Sequence, residues 1–323
     1  MRNASQQNPR QDSPFAPFLA AQDWLVLDGG LATELEARGH DLDHPLWSAR
    51  TLIEDPDAIF DVHMAYLRAG ADCIIGAGYQ ASPRGLREAG WSQDDVERIL
   101  RRTVETATRA RDAFWREHAE ERTLRPLVAA GFGPFGAYRA DGSEFRGNYG
   151  VSRSELRDFH AERLHLLHDS GPDLLAVETL PDRLELTVLL ELLDELDGAQ
   201  AWISFCCADA SHLHDGTPVA EAAAACAASP AVIAVGVNCT APRHLDGLIG
   251  ELRRGAPQKA VVVYPNSGEI FDADTRGWTG HSDPQDFGAA ARRWHGLGAS
   301  AIGGCCRSRP AHIRAIRDAL ADS

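Results

Sequence analysis

Nowhere in its 323 residues does the chain hold an apolar run near the roughly 20 residues needed to cross a bilayer. The polar opening MRNASQQNPRQDSP also lacks the apolar core of a secretory signal, so an intracellular, cytoplasmic location is expected. Basic charge is scarce. A formal net charge of -15 leaves no excess of Lys and Arg for a nucleic-acid backbone or an anionic membrane, and small-molecule partners fit better. Disulfide-framework spacing is missing too: Cys73, Cys206, Cys207, Cys226, Cys239, Cys305 and Cys306 are odd in number and scattered. Reduced thiols follow, and cysteines brought together in a reducing compartment point to metal or catalysis. No Gly-x-Gly-x-x-Gly turn follows the first apolar run, which weakens a dinucleotide-binding open sheet.

What is present is a repeated alternation. The first 20 residues, rich in Gln, Asn, Ser and Pro, read as a flexible arm, and residues 21–323 read as one domain. Short apolar runs at 25–28, 73–77, 127–131, 174–178, 202–206, 232–238, 260–264 and 301–304 are separated by helical patterns. Asp55-Pro56 opens one helix, stopped at Gly70; Ser152 or Ser154 opens another; Ser282-Asp283-Pro284 a third. Eight such units predict an α/β fold, a single-domain (β/α)8 TIM barrel. The longest irregular segment, Gly131 to Gly150, is dense in glycine and aromatics and is expected either as a functional lid or as a loop packed on itself.

In such a barrel the chemistry gathers where strands end. Those ends are Asp28 followed by Gly29 and Gly30, then Glu178-Thr179, Asn238-Cys239, Pro265-Asn266 and Cys305-Cys306. Cys239 lies two strands from Cys305 and Cys306 on one face, where three thiolates can share an ion. Soft sulfur ligands suit zinc, copper(I) or iron–sulfur chemistry, and a set of three leaves a fourth position open. Gly303 and Gly304 let the backbone turn so that adjacent cysteines face one metal. Cys73 and Cys226 read as small buried hydrophobes, while Cys206 and Cys207 could join the cluster. Asp28 and Glu178, with the amides of Gly29 and Gly30, supply acceptors for an ammonium and donors for a carboxylate. Two other readings stay open: a structural metal closed by Cys206, Cys207 or His281, and a hydrolase using Asp28 and Glu178 as acid and base.

The segments LDGGLATELEARG, HPLWSAR, YQASPRG, GPFGAYRADGSEFRGNY, LLAVETLP, DGTPV, VGVNC, VVVYPNSGE and GGCCR, spread over nearly the whole chain, resemble the homocysteine S-methyltransferases. The resemblance implies a zinc-dependent methyltransferase that forms methionine. Zn2+ would be held by Cys239, Cys305 and Cys306, and Asp28 and Glu178 would bind the homocysteine ammonium, with the backbone of Gly29 and Gly30 on its carboxylate and Asn238 nearby. A metal-bound thiol is deprotonated at neutral pH, where an ordinary thiol of pKa about 8.5 is not. The thiolate would attack the methyl of a sulfonium: S-methylmethionine first, S-adenosylmethionine second, betaine least. Phe135 or Tyr138 could shelter that cation by cation-π contact. One departure stands out, since Gly76 and Gly78 occupy positions where relatives usually carry hydroxyl residues.

Overall fold

The computed structural model describes residues 13–42, 48–272, 277–279 and 282–322. Eight parallel strands form one sheet: β1 (Leu25–Val26), β2 (Cys73–Ile75), β3 (Leu127–Phe132), β4 (Leu174–Leu180), β5 (Ala201–Phe205), β6 (Val232–Asn238), β7 (Ala260–Tyr264) and β10 (Ala301–Ile302). Their order runs β1-β10-β7-β6-β5-β4-β3-β2, and a parallel bridge from Leu27 to Cys73 joins the two ends. The sheet is therefore a closed barrel. Both faces of each strand are covered, which is why β4 through β7 are continuous apolar runs without alternation. A short antiparallel pair, β8 (Ile270–Asp272) and β9 (Gly277–Thr279), was not foreseen from sequence and interrupts the path from β7 to β10. No helix among the described residues is long and apolar enough to cross a membrane.

Helix starts obey local chemistry. The Asp55 carboxylate accepts the Ala58 N–H at 3.2 Å, Pro56 takes the first helical position, and Gly70 ends the helix Pro56–Ala69 at φ 110. Of the two candidates in the next case, Ser152 is the cap, accepting from Glu155 N. Asp283 caps Pro284–Leu297 through Gln285 N. Most apolar side chains pack between strands and helices, and a second cluster fills the barrel interior.

That interior corrects the expected boundary of the N-terminal arm. Residues 1–12 lie outside the described set, but from Ser13 the chain is already packed, with a helix over Ala16–Gln22. Phe15 and Phe18 are buried with Leu25, Leu174, Trp202 and Tyr264, and the Phe15 and Trp202 rings stand 6.0 Å apart. Two aromatic side chains thus plug the barrel, removing apolar area that the strand starts would otherwise leave to water.

Candidate metal and amino-acid site

Strands β6 and β10 deliver three thiols to one point. Cys239 Sγ lies 2.7 Å from Cys305 Sγ and 3.6 Å from Cys306 Sγ, and all three sulfurs fall within 4.8 Å of one another. No other such group of potential ligands occurs among the described residues. Hydrogen bonds from its two neighbours hold the Cys306 thiol below the ordinary thiol range, while the same contacts push Cys239 up. Thiols this close disfavour joint ionisation unless a cation sits among them. The donor set therefore fits a soft metal ion.

The backbone that makes this possible is tightly packed. A Cβ on Gly303 would stand 2.6 Å from Leu27 Cβ, and one on Gly304 would collide with Ser308 Oγ. Gly30 is equally constrained, since its Cβ would lie 2.6 Å from the Cys305 carbonyl. The turn after β1 and the cysteine loop after β10 are thus pressed together, and side chains at these positions would separate them.

Asp28 and Glu178 both end in this space. Asp28 is buried and accepts Ile75 N at 2.9 Å; burial, reinforced by Cys305, raises its pKa to about 8. Burial likewise pushes Glu178 well above the carboxylate range, with the charges of Cys305 and Asp28 adding to the effect. A Cβ on Gly131 would approach Glu178 Oε2 to 2.7 Å, so that glycine makes room for the carboxylate. Two buried acids, each held above the carboxylate range chiefly by desolvation, form a receptor for a cation, because a bound ammonium restores both as carboxylates. The Gly29 N–H has no partner among the described residues, whereas the Gly30 N–H is already given to Ser308. Only one of the two expected amide donors is open.

Asn238 was expected beside substrate; in the structure its side chain is engaged by Thr179 and Cys305. Its Oδ1 accepts Thr179 N at 2.7 Å, and its Nδ2 donates to Thr179 Oγ1 at 2.8 Å and reaches Cys305 Sγ at 3.9 Å. The side chain is fully committed to holding Thr179, a non-glycine residue at φ 60, and to orienting a thiol. Tyr264 went unnoticed in the sequence: its hydroxyl receives Trp202 Nε1 at 3.0 Å and hydrogen-bonds Glu178. Tyr79, half-buried and hydrogen-bonded to Thr179, was missed as well. Asn266 Oδ1 is buried without a partner among the described residues.

Cys207 packs in the apolar core, and Cys73 and Cys226 are fully buried. Cys206 lies closer to the site, but its thiol contacts the Cys239 carbonyl at 3.6 Å and stands outside the group of three. His281 lies outside the described residues. The cation-π expectation also fails. Phe135 is 3% exposed, with its ring against Tyr138, Tyr149 and Phe159, and the Tyr138 hydroxyl points outward to Glu88. Both rings hold the loop to Phe159 of the helix Arg153–His168, and the Tyr138 ring already carries the Arg84 guanidinium at 5.4 Å. The loop is lashed down further by buried Glu185, which accepts from Phe135 N, the Tyr149 hydroxyl and His160 Nε2. At Gly76 and Gly78, added side chains would strike the backbone carbonyls of Thr103 and Gly131, so glycine there lets strands and helix close up.

Residues 25–320 match the family model described as homocysteine S-methyltransferase. The chain is 44% identical over 307 residues to the Bacillus subtilis homocysteine S-methyltransferase YbgG, covering 94% of this chain and 96% of the relative. It is 47% identical over 308 residues to homocysteine S-methyltransferase 4 of Zea mays, covering 92% and 90%. Among solved structures it is similar to the metallated form of the homocysteine methyltransferase MmuM from Escherichia coli, with TM-score 0.85, 42% identity and coverage of 96% and 100%. The oxidized form of MmuM gives TM-score 0.86 at 42% identity, covering 95% and 99%.

Proposed function

Because the chain belongs to the homocysteine S-methyltransferase family, we propose that it methylates the thiol of homocysteine from a sulfonium donor, using zinc held by Cys239, Cys305 and Cys306. One observation carries the reading: three thiols within 4.8 Å of one another lie beside two buried carboxyls at the same end of a barrel. Zinc, when bound, supplies a Lewis acid that keeps a thiol ionised at neutral pH.

The chain's own residues do the rest. Asp28 and Glu178 accept the homocysteine ammonium, and the Gly29 N–H faces its carboxylate; the amino acid is thereby oriented with its sulfur toward the cysteines. Tyr264 and Asn238 hold Glu178 and Thr179 in place without touching substrate. The substrate sulfur attacks the methyl carbon in line: a new S–C bond forms, the sulfonium C–S bond breaks, and its electron pair stays on the departing neutral sulfide. No protein nucleophile and no proton transfer is needed at that step. S-methylmethionine is the first donor by overall resemblance and S-adenosylmethionine the second.

A structural metal needs a fourth protein ligand, and Cys206 contacts a carbonyl instead of joining the trio. The test is methionine formation from homocysteine with S-methylmethionine, S-adenosylmethionine and betaine in parallel, for zinc-loaded protein and for Cys306→Ser. Turnover with a sulfonium that is lost in the variant supports the reading. Turnover with betaine alone, or none despite bound zinc, overturns it.

A further inference from the structure

Two hydroxyls fasten the turn after β1 to the cysteine loop after β10. Tyr66, on the helix Pro56–Ala69, is fully buried, and its hydroxyl lies 3.0 Å from the Gly30 carbonyl and 3.1 Å from the Ser308 carbonyl. A phenol has one proton to donate, and here two carbonyls share it, so the two segments are drawn to a single point. Ser308 is equally buried and completes the clasp. Its Oγ donates to the Cys305 carbonyl at 2.6 Å and accepts the Gly30 N–H at 3.2 Å, and its own carbonyl accepts that N–H at 3.2 Å as well. Gly304 N adds a bond to the Asp28 carbonyl at 3.1 Å. The Tyr66 ring also backs Gly29, with Cε1 2.8 Å from where a Cβ would stand. The peptide that presents the open Gly29 N–H is thus held from behind.

The clasp is not there to rescue orphaned groups. The Gly30 carbonyl already accepts Glu34 N, and the Ser308 carbonyl already accepts Gly30 N, so both would stay satisfied without the phenol. What Tyr66 adds is a fixed distance between them. One of the joined segments carries Gly29 and Gly30, on the amino-acid side of the site, and the other carries Cys305 and Cys306, on the metal side. We infer that Tyr66 and Ser308 are positioning residues that couple metal occupancy to amino-acid binding: when a bound metal fixes the Cys305-Cys306 loop, the clasp fixes the Gly29–Gly30 turn that receives the homocysteine carboxylate. This rests on the homocysteine reading above. Neither side chain touches the reacting atoms. The coupling is reciprocal, so an amino acid seated on the turn tightens the metal by the factor by which the metal tightens the amino acid. Homocysteine is thereby held best where an ion is present to receive its sulfur.

The test is calorimetric titration of L-2-aminobutyrate, which is homocysteine without its thiol and so cannot ligate the metal. It is titrated into zinc-loaded and metal-free protein, for wild type, Tyr66→Phe and Ser308→Ala, with zinc content checked by elemental analysis. In wild type, zinc tightens the amino acid about five- to tenfold, at the lower end of coupling between linked sites. In each variant that ratio falls by about threefold or more, as expected for the loss of one net hydrogen bond. The change of charge at the cysteines is common to all three proteins and cancels in the comparison. Zinc-loaded Tyr66→Phe also shows a homocysteine KM raised about three- to tenfold with the donor KM within about twofold. Equal affinity with and without zinc in a wild type that still forms methionine overturns the inference and leaves the methyltransferase reading standing. Variants that lose affinity by the same factor in both metal states report packing alone and overturn it too. Should Tyr66→Phe not fold, Ser308→Ala decides by the same ratio. A wild type that binds the amino acid in neither state and forms no methionine overturns the homocysteine reading and the inference with it.

Discussion

Replacing Asn238 by alanine isolates the contribution of one side chain that holds two parts of the site. The substitution removes both hydrogen bonds to Thr179 and the contact with Cys305 Sγ. The Thr179 hydroxyl keeps Tyr79 as a partner, but its N–H, in a residue with no exposure, is orphaned. An unsatisfied buried group costs about 1–3 kcal/mol. Thr179 also sits at φ 60, a conformation costing a threonine about 1–2 kcal/mol and sustained here by Asn238. The expected loss is about 2–4 kcal/mol in metal-free protein, or a melting point lower by about 3–6 °C. Metal affinity falls about 10- to 100-fold, as for other residues that orient a ligand. Asn238→Asp separates the two effects: it keeps the acceptor for Thr179 N but turns a negative oxygen toward Thr179 Oγ1 and Cys305, so metal affinity suffers more than the backbone does. Urea denaturation of the metal-free protein and competition against a chromogenic chelator measure both quantities. An Asn238→Ala protein within about 0.5 kcal/mol of wild type that binds metal normally would refute the reasoning.

Serine at Cys239, Cys305 or Cys306 is expected to abolish stoichiometric zinc with the far-UV spectrum unchanged, while Cys207→Ala retains the metal; elemental analysis after dialysis distinguishes them. Glu178→Gln is expected to raise the homocysteine KM about tenfold or more while leaving the donor KM near wild type, since it weakens an ammonium contact on the acceptor side alone. Buried His63 has no ring partner among the described residues, and desolvation lowers its pKa to about 4. It is neutral in the folded chain, so the unfolded chain binds the extra proton and stability is lost as pH falls from about 6.5 toward 4. A shift of that size corresponds to about 3 kcal/mol at most, and His63→Leu should flatten this slope in urea titrations between pH 7 and 5. An identical slope in the variant rules His63 out.

Strand positions were readable because each barrel strand is buried on both faces, so hydrophobicity runs unbroken and then stops where the chain meets the mouth. That stop is what exposed Asp28, Glu178, Cys239 and Cys305-Cys306. Phe15 and Phe18 were not readable, for they lie in a Gln- and Pro-rich flank and are buried only because the barrel has an interior to plug.

The least legible feature is the backbone itself. Thr179, Cys239 and Arg307 all have positive φ, at 60, 47 and 65, and they follow Glu178, form the trio, or follow Cys306. Glycine is what a sequence reader expects at such turns, and none marks these. The reason is chemical: Cys239 is needed for its thiol and Thr179 for the hydroxyl that meets Tyr79 and Asn238, so glycine is excluded where it would be easiest. Each departure costs on the order of 1–2 kcal/mol and has to be held from outside. Asn238 holds Thr179, and the Arg307 N–H is taken by Thr33 Oγ1 at 2.9 Å while its guanidinium pairs with Glu269. The strain thus sits where the thiols and the carboxyl must be aimed. Residues such as Asn238 and Thr33, lying on other segments of the chain, are part of the site by virtue of the backbone they restrain.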